Sequence, residues 1–198
     1  MAKILDAATM REAFSIMGRY LADRKTLGEV AVFGGSAIAL TFEWMRRGTN
    51  DVDAVVTSDG NHGVVRAAAD EAARRLGLER SWLSESVAMY RSRNEARPDL
   101  QVEGMYPDHN RPGLRVVTAT PEYILAMKMI ALERSTRDDR DFSDAVAIGA
   151  AVGISGEDDL LGLVRQYYGD AVPEMARLRI GELAEAIAAA RAGRDGPP

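Results

Sequence analysis

The chain has 198 residues, of which 46% are hydrophobic and 28% are charged, and it contains no cysteine. A chain of this size and composition can bury a core without cross-links, and the lack of cysteine excludes disulfides and thiolate metal sites. The net charge of −5 argues against a general nucleic-acid coat protein.

Six arginines nevertheless give the middle of the chain a local excess of positive charge: Arg74, Arg75, Arg80, Arg91, Arg93 and Arg97. We interpret them either as a solvated surface or as a binding surface for a triphosphate or an RNA backbone. No apolar run approaches the roughly 20 residues that span a membrane, and the N-terminus lacks the apolar region of a secretory signal. We therefore expect a cytoplasmic protein with no membrane partner.

Hydrophobic periodicity predicts alternating elements at the start of the chain, with helices over 7–25, 36–47 and 62–76 and strands over 29–33 and 51–56. The apolar run at 29–33 indicates a strand that is buried on both faces. Gly77 is expected to end the third helix. This order predicts a sheet flanked by helices, of the α/β (α+β) class.

The next stretch has weaker signals. Ser81-Trp82-Leu83 is interpreted as the start of a short helix, and strands are expected over Val87–Tyr90 and Leu100–Met105. The β-branched residues of Leu114–Thr120 predict a further strand, which Pro121 ends.

The remainder is predicted to be helical. Thr120 and Pro121 have the residue types of an N-cap and a first helical position. Further helices are expected over 141–152, 155–168 and 172–191. We therefore divide the chain into an α/β core over 1–120, with an N-terminal helix, and a helical bundle over 121–198.

One stretch suggests chemistry: Gly34-Gly35-Ser36 follows an apolar strand, and Asp51 and Asp53 open the next one. Residues two apart on a strand share a face, and two adjacent carboxylates repel unless a cation lies between them. Mg²⁺ prefers such oxygen ligands, and the N–H groups at a helix start meet phosphate. The alternative is a tight turn beside an acidic strand start on the surface.

Lys128 lies on an otherwise apolar helix face, which suits either a triphosphate ligand or a lysine that extends to solvent at the helix edge. Asp141 and Asp144 are neighbours on the next predicted helix. They are candidates for a further metal ligand or for orienting Lys128. Alternatively, they pair with nearby arginines, namely Arg134, Arg137 or Arg140.

Together these residues resemble the nucleotidyltransferases of the DNA polymerase beta superfamily. The C-terminal residues Pro121 to Lys128, and Arg140 to Asp144, are similar to the minimal group that includes the AbiEii and MenT toxins. The resemblance covers roughly residues 28–170. It implies a nucleotidyltransferase-like mixed sheet flanked by helices, followed by a helical bundle.

The resemblance also implies roles for the site residues. Nucleotide phosphates would be bound by Gly34, Gly35 and Ser36, with Lys128 on the triphosphate. Mg²⁺ or Mn²⁺ would be bound by Asp51 and Asp53, with Asp141 completing the acidic site and Asp144 nearby. The superfamily usually places a third carboxylate on a later strand. Leu114–Thr120 has no acid, and Glu103 is the only strand candidate before it.

The expected function is transfer of a nucleotide from an NTP to an acceptor hydroxyl, which could belong to the 3′ end of tRNA, to another RNA, to a protein or to a small molecule. A toxin of this kind would have a separately encoded antitoxin protein as a partner. The alternatives are a non-catalytic nucleotide-binding or interaction module with the same fold, and a helix-rich scaffold with an incidental Asp-x-Asp.

Overall fold

The computed structural model describes residues 4–42, 48–58, 60–132, 140–170 and 174–194, and it has an α+β architecture, as the sequence predicts. The helices are α1 Ala7–Ala22, α2 Gly34–Thr41, α3 His62–Leu76, α4 Pro121–Ala131, α5 Arg140–Val152, α6 Glu157–Tyr168 and α7 Glu174–Arg194. The strands are β1 Gly28–Val32, β2 Val52–Val56, β3 Leu83–Ser84, β4 Leu100–Tyr106 and β5 Leu114–Ala119. Within the described ranges, none of the helices combines the length and apolarity needed to cross a membrane.

The five strands form one mixed sheet in the order β3-β2-β1-β5-β4. Strand β1 pairs antiparallel with β2, and it pairs parallel with β5 on its other side. The antiparallel register joins Val32 to Ala54. The end of β1 and the start of β2 therefore lie side by side, which brings the two candidate motifs to one edge of the sheet.

Helix α1 forms as its apolar stripe predicts. Met10, Phe14, Met17 and Leu21 are fully buried, and Asp6 caps the helix by accepting a 2.7 Å hydrogen bond from the Thr9 amide. The predicted burial of β1 on both faces is confirmed, because its last three residues, Val30, Ala31 and Val32, are inaccessible to solvent.

Two of the weaker predictions are wrong. Val87–Tyr90 belongs to a 3₁₀ helix over Ser86–Tyr90, in which only Val87 is buried, so this apolar run does not enter the sheet. Trp82 and Leu83 do not start a helix. The Trp82 carbonyl accepts from the Val52 amide at 2.6 Å, and Leu83 begins β3, parallel to β2. Pairing with β2 therefore overrides the local pattern.

Helix ends follow local chemistry closely. Gly77 ends α3 with a left-handed φ of 65°, and the Thr120 hydroxyl accepts from the Tyr123 amide at the start of α4. The helix predicted over 36–47 begins two residues earlier, at Gly34, and residues 43–47 lie outside the described ranges. Helix α7 is described from Glu174, and the predicted start at Val172 lies outside those ranges.

The chain forms two compact units, Met1–Met89 with Arg97–Ala119, and Tyr90–Ala96 with Thr120–Pro198. In the first unit, α1 packs on β4, β5 and α3, and α2 packs on β2 and β5. In the second unit, α5 and α6 each pack on α4 and α7. Gly149 permits the close approach of α5 and α7, because a Cβ there would lie 2.3 Å from Cδ1 of Ile187.

The segment Tyr90–Ala96 is bound to the helices of the second unit through Ser92. Its amide donates to the Tyr123 hydroxyl at 2.7 Å, and its hydroxyl donates to the Tyr167 carbonyl. The rings of Tyr123 and Tyr167 are stacked with their centroids 4.6 Å apart. Burial of the phenol raises the pKa of Tyr123. These contacts explain why a segment between β3 and β4 is part of the helical unit.

Candidate functional site

The turn between β1 and α2 requires glycine at its first position. Gly34 has a φ of +58°, a conformation that L side chains rarely adopt. A Cβ on Gly34 would also lie only 2.6 Å from Oδ2 of Asp53. The turn and the Asp53 carboxylate are therefore in direct proximity.

Gly35 has a different environment, because a Cβ added to it would meet no heavy atom within 4 Å. Gly34 and Gly35 form the start of α2, where backbone N–H groups have no partner within the helix. The residue at the N-cap is Phe33, whose side chain has no hydrogen-bond acceptor to offer them. The helix start thus has amide donors without a side-chain cap, there is room for a side chain at Gly35, and Asp53 lies next to Gly34.

The two aspartates are positioned through their main chain. The Asp51 carbonyl accepts hydrogen bonds from the hydroxyls of Ser36 and Thr49, at 3.0 and 2.9 Å. The Asp53 carbonyl accepts from the Phe33 amide at 2.8 Å. Both aspartates are partly exposed, and they bracket the buried Val52.

Ser36 is completely buried, so its hydroxyl positions Asp51 from inside the structure. Its side chain does not face the open space beside Gly35. Thr49 is a second contributor, and it was not among the site residues predicted from the sequence. The sequence does contain a signal for this role. Thr49 lies two residues before Asp51, and serine and threonine hydroxyls often form hydrogen bonds with nearby main-chain groups.

Glu103, the candidate for a third carboxylate on a strand, is engaged elsewhere. One oxygen accepts from Nε of Arg11 at 2.7 Å and the other from the Tyr106 hydroxyl at 2.5 Å. Burial of Tyr106 raises the pKa of its phenol, and the bond to Glu103 raises it further. Strand β4 is three strands from β2, about 14 Å at about 4.8 Å per strand. Glu103 is therefore too distant to share a metal with Asp51 and Asp53.

In the second unit the structure brings Lys128, Asp141 and Asp144 together, and we call these three residues the lysine triad. The Lys128 ammonium lies 2.5 Å from Oδ1 of Asp141 and 3.1 Å from Oδ2 of Asp144. Asp144 is almost completely buried, with 2% of its side chain exposed, and Lys128 is 12% exposed. The proposed alternative partners Arg134 and Arg137 lie outside the described ranges. Of the roles considered for the two acids, orienting Lys128 is the one that these contacts match.

The metal ligands expected from the sequence do not form a cage of protein side chains. Among the described residues there is no group of three or more carboxylates or imidazoles suited to hold a metal ion. Of the described residues, Asp53 has its carboxylate at the turn, and Asp51 lies two positions before it. This donor set fits Mg²⁺ bound partly by phosphate oxygens, since protein sites for Mg²⁺ often use one or two carboxylates with substrate phosphates.

Several of the arginines in the middle of the chain form local ion pairs. Arg74 and Arg75 both contact Glu71, while Arg80 pairs with Asp70 at 3.1 Å. Arg91 donates to Glu95 in the second unit, and this hydrogen bond raises the pKa of its guanidinium. Local ion pairs thus account for much of the positive excess that the sequence suggests.

Comparisons with protein-family models, with curated proteins and with solved structures found no match. The resemblance to nucleotidyltransferases therefore rests on the motifs of this chain.

Proposed function

We propose that this chain is a Mg²⁺-dependent nucleotidyltransferase that moves a nucleotide from an NTP to an acceptor hydroxyl. The main support is one juxtaposition, in which the glycine turn of Gly34 and Gly35 lies against the carboxylate of Asp53. Amide donors at the helix start suit phosphate oxygens, and the acid pair suits a divalent cation. Both are needed at the same place for transfer of a nucleotide.

In this reaction the acceptor oxygen forms a bond to the α-phosphorus, the bond to the bridging oxygen breaks, and pyrophosphate leaves. The hydroxyl proton is released. Bound Mg²⁺ would neutralise phosphate charge and stabilise the attacking and leaving oxygens. The residues of this chain orient the substrate: the amides of the turn hold phosphate oxygens, and Asp51 and Asp53 hold the cation. Ser36 and Thr49 keep Asp51 in place.

Because the protein offers two carboxylates, we expect Mg²⁺ and NTP to bind together. Mg²⁺ alone should shift the melting temperature little, whereas Mg²⁺ with an NTP at a hundred times its Kd should stabilise the fold by about 2.7 kcal/mol. A shift with Mg²⁺ alone that equals the shift with both would contradict this binding order.

The acceptor that we propose is the 3′ hydroxyl of an RNA, tRNA in particular, on the strength of the motif resemblance. The same resemblance suggests a toxin with a separately encoded antitoxin protein as a partner. The triphosphate role of Lys128 also rests on the resemblance. Its ion pairs with Asp141 and Asp144 give Lys128 a structural role in any case.

The deciding experiment is label transfer from radiolabelled NTPs to total RNA, and separately to protein, in the presence of Mg²⁺. Asp53→Asn preserves side-chain size and should lower transfer about a hundredfold or more, because a metal ligand is lost. Asp158→Asn, at an exposed position of α6, is the matched control and should retain activity. Equal transfer by the two variants, or none by the unmodified chain, would refute the enzymatic proposal.

A non-catalytic nucleotide-binding module is the second candidate, and one observation favours it. Strand β5 has no acid, and Glu103 on β4 is engaged by Arg11 and Tyr106. Such a module would show the melting shift with Mg²⁺ and NTP but no label transfer. The two measurements together therefore distinguish binding from turnover.

A further inference from the structure

A cleft of about 450 Å³ lies between α1 and α3 in the first unit. One wall includes Arg19 and Tyr20, with Arg24 just beyond the end of α1. The other wall is a helical stripe of Glu71, Arg74 and Arg75. The volume is within the range of about 300–1,000 Å³ that is typical of sites for small molecules.

The lining of this α1–α3 cleft is positively charged, with four arginines against two carboxylates, Asp23 and Glu71. The whole chain, in contrast, has a net charge of −5. Asp23 also accepts from Arg111 at 3.0 Å, which offsets its charge. Arg19 is exposed and forms no ion pair within the described ranges.

Glu71 organises one wall of the cleft. Its side chain is only 11% exposed, and its two oxygens accept from Arg74 and Arg75. These arginines nevertheless keep 72% and 58% of their own side chains exposed. One buried carboxylate therefore anchors two guanidinium groups that remain accessible to an anion.

Tyr20 organises the other wall. The Arg24 guanidinium carbon lies 3.5 Å from the centre of the Tyr20 ring, and Arg24 also donates to the Tyr20 carbonyl at 3.0 Å. Stacking on an aromatic ring leaves the edge of a guanidinium group free to donate, and its planar fork matches phosphate oxygens. Arg24 is thus held in place with donor groups still available.

The cleft is separate from the turn at Gly34. The last turn of α1 lies at the start of β1, because a Cβ on Gly28 would contact Leu21 at 3.2 Å. The Gly34 turn follows the other end of β1, which has five residues and is therefore about 16 Å long. A ligand in the cleft would occupy a second site.

We propose that the α1–α3 cleft binds a small anion with two or more phosphate groups. Several guanidinium groups on opposite walls suit a ligand with more than one negative group, and arginine binds phosphate through paired hydrogen bonds. The concave shape and limited volume favour a small molecule over an extended strand. The inference does not depend on the proposed nucleotidyl transfer.

The test is calorimetric titration with inorganic triphosphate and, in parallel, with orthophosphate, in the presence of a chelator of divalent cations. Triphosphate should bind more tightly than orthophosphate. The double variant Arg19→Gln/Arg24→Gln should weaken triphosphate binding about tenfold or more, because charge-assisted hydrogen bonds are lost. The control Arg80→Gln/Arg93→Gln removes two exposed charges outside the cleft and should bind as the unmodified chain does.

Gly35→Ala and Asp53→Asn alter the turn, where phosphate is expected to bind together with Mg²⁺, so binding of triphosphate to the cleft in the presence of the chelator should persist in both variants. Equal binding by the cleft variant and the control would overturn the proposal, as would loss of binding in Gly35→Ala. Tighter binding of a single-stranded RNA that displaces triphosphate would also overturn it, because the occupant would then be an extended strand.

Discussion

The two units position their candidate site aspartates in different ways. In the first unit, Asp51 is fixed through its carbonyl by Ser36 and Thr49, and the carboxylate of Asp53 lies against Gly34. In the second unit, the carboxylates of the lysine triad are held by the ammonium of Lys128 itself. Main-chain bonds position an aspartate whatever the charge of its side chain, whereas an ion pair does so only while both charges remain.

The first arrangement suits a site at which a ligand binds and leaves, whereas the second suits a purely structural role. Placement through the main chain makes the position of Asp51 independent of a bound cation. In the lysine triad, the carboxylate of Asp144 is nearly inaccessible, and its charge is offset within the protein. Substitutions of Asp51 and Asp53 should therefore affect binding most, and those in the triad should affect stability most.

Lys128→Met should produce the largest change in stability. It leaves Asp144 buried without its ammonium partner, and breaking a buried pair in this way typically costs about 3–5 kcal/mol. Urea unfolding measures the loss. Asp141→Asn is the control, since Asp141 is 38% exposed and its replacement leaves Lys128 with Asp144. If Lys128→Met lowers the free energy of unfolding no more than Asp141→Asn does, the proposed contrast between the two units is wrong.

Gly35→Ala should have the largest effect on ligand binding with little effect on the fold. The new methyl group enters open space, and alanine is favoured over glycine in a helix by up to about 1 kcal/mol. The stabilisation by Mg²⁺ and NTP, about 2.7 kcal/mol at a hundred times Kd, should be largely lost. Thermal unfolding with and without ligand measures both quantities.

The control for Gly35→Ala is Gly63→Ala. Gly63 is likewise the second residue of a helix, α3, and a Cβ there would meet nothing within 4 Å. This variant should keep the full ligand-induced shift. If both variants keep it, phosphate does not bind at the turn.

Gly34→Ala, one position before Gly35, should lower the stability of the fold, in contrast to Gly35→Ala. The φ of +58° disfavours alanine, and its Cβ would lie 2.6 Å from the Asp53 carboxylate. We expect a loss of about 1–3 kcal/mol in the free energy of unfolding. Chemical denaturation of both variants tests this, and equal stability at the two positions would show that the turn tolerates a side chain throughout.

Ser155→Ala should have the smallest effect on stability, because it acts on Asp159, an exposed acid of the second unit. The Ser155 hydroxyl and amide donate to Asp159 at 2.5 and 2.8 Å, and these bonds lower the pKa of Asp159. Loss of the hydroxyl should raise this pKa towards its usual value, as NMR titration would show. Ser155→Thr keeps a hydroxyl and should keep the pKa low.

The sign of the pH dependence follows from the lowered pKa of Asp159. Its contribution to stability is present above the pKa of the unfolded chain, and it is lost as the pH falls through the pKa of the folded state. Ser155→Ala should therefore reduce stability above the unfolded pKa and leave it unchanged in strong acid. The same loss at both pH values would mean that the hydroxyl acts through something other than this carboxylate.

Much of the fold could be predicted from local patterns. The stripe of α1, the apolar run of β1 and the caps at Thr120 and Gly77 each depend on residues close together in the chain. The predictions at Leu83 and Val87–Tyr90 failed where the local pattern was short. There the outcome depends on whether a distant strand is available for pairing.

The sequence by itself determined that a glycine turn and an acid pair flank one helix, because a strand, a helix and a return strand leave few other arrangements. The tertiary structure decided which charges meet. It joined Asp141 to Lys128, assigned Glu103 to Arg11, and placed Arg19 and Arg24 opposite Arg74 and Arg75. These groups lie 13 or more positions apart in the chain. Their proximity depends on how whole elements pack, and the periodicity of a single helix or strand contains no information about that packing.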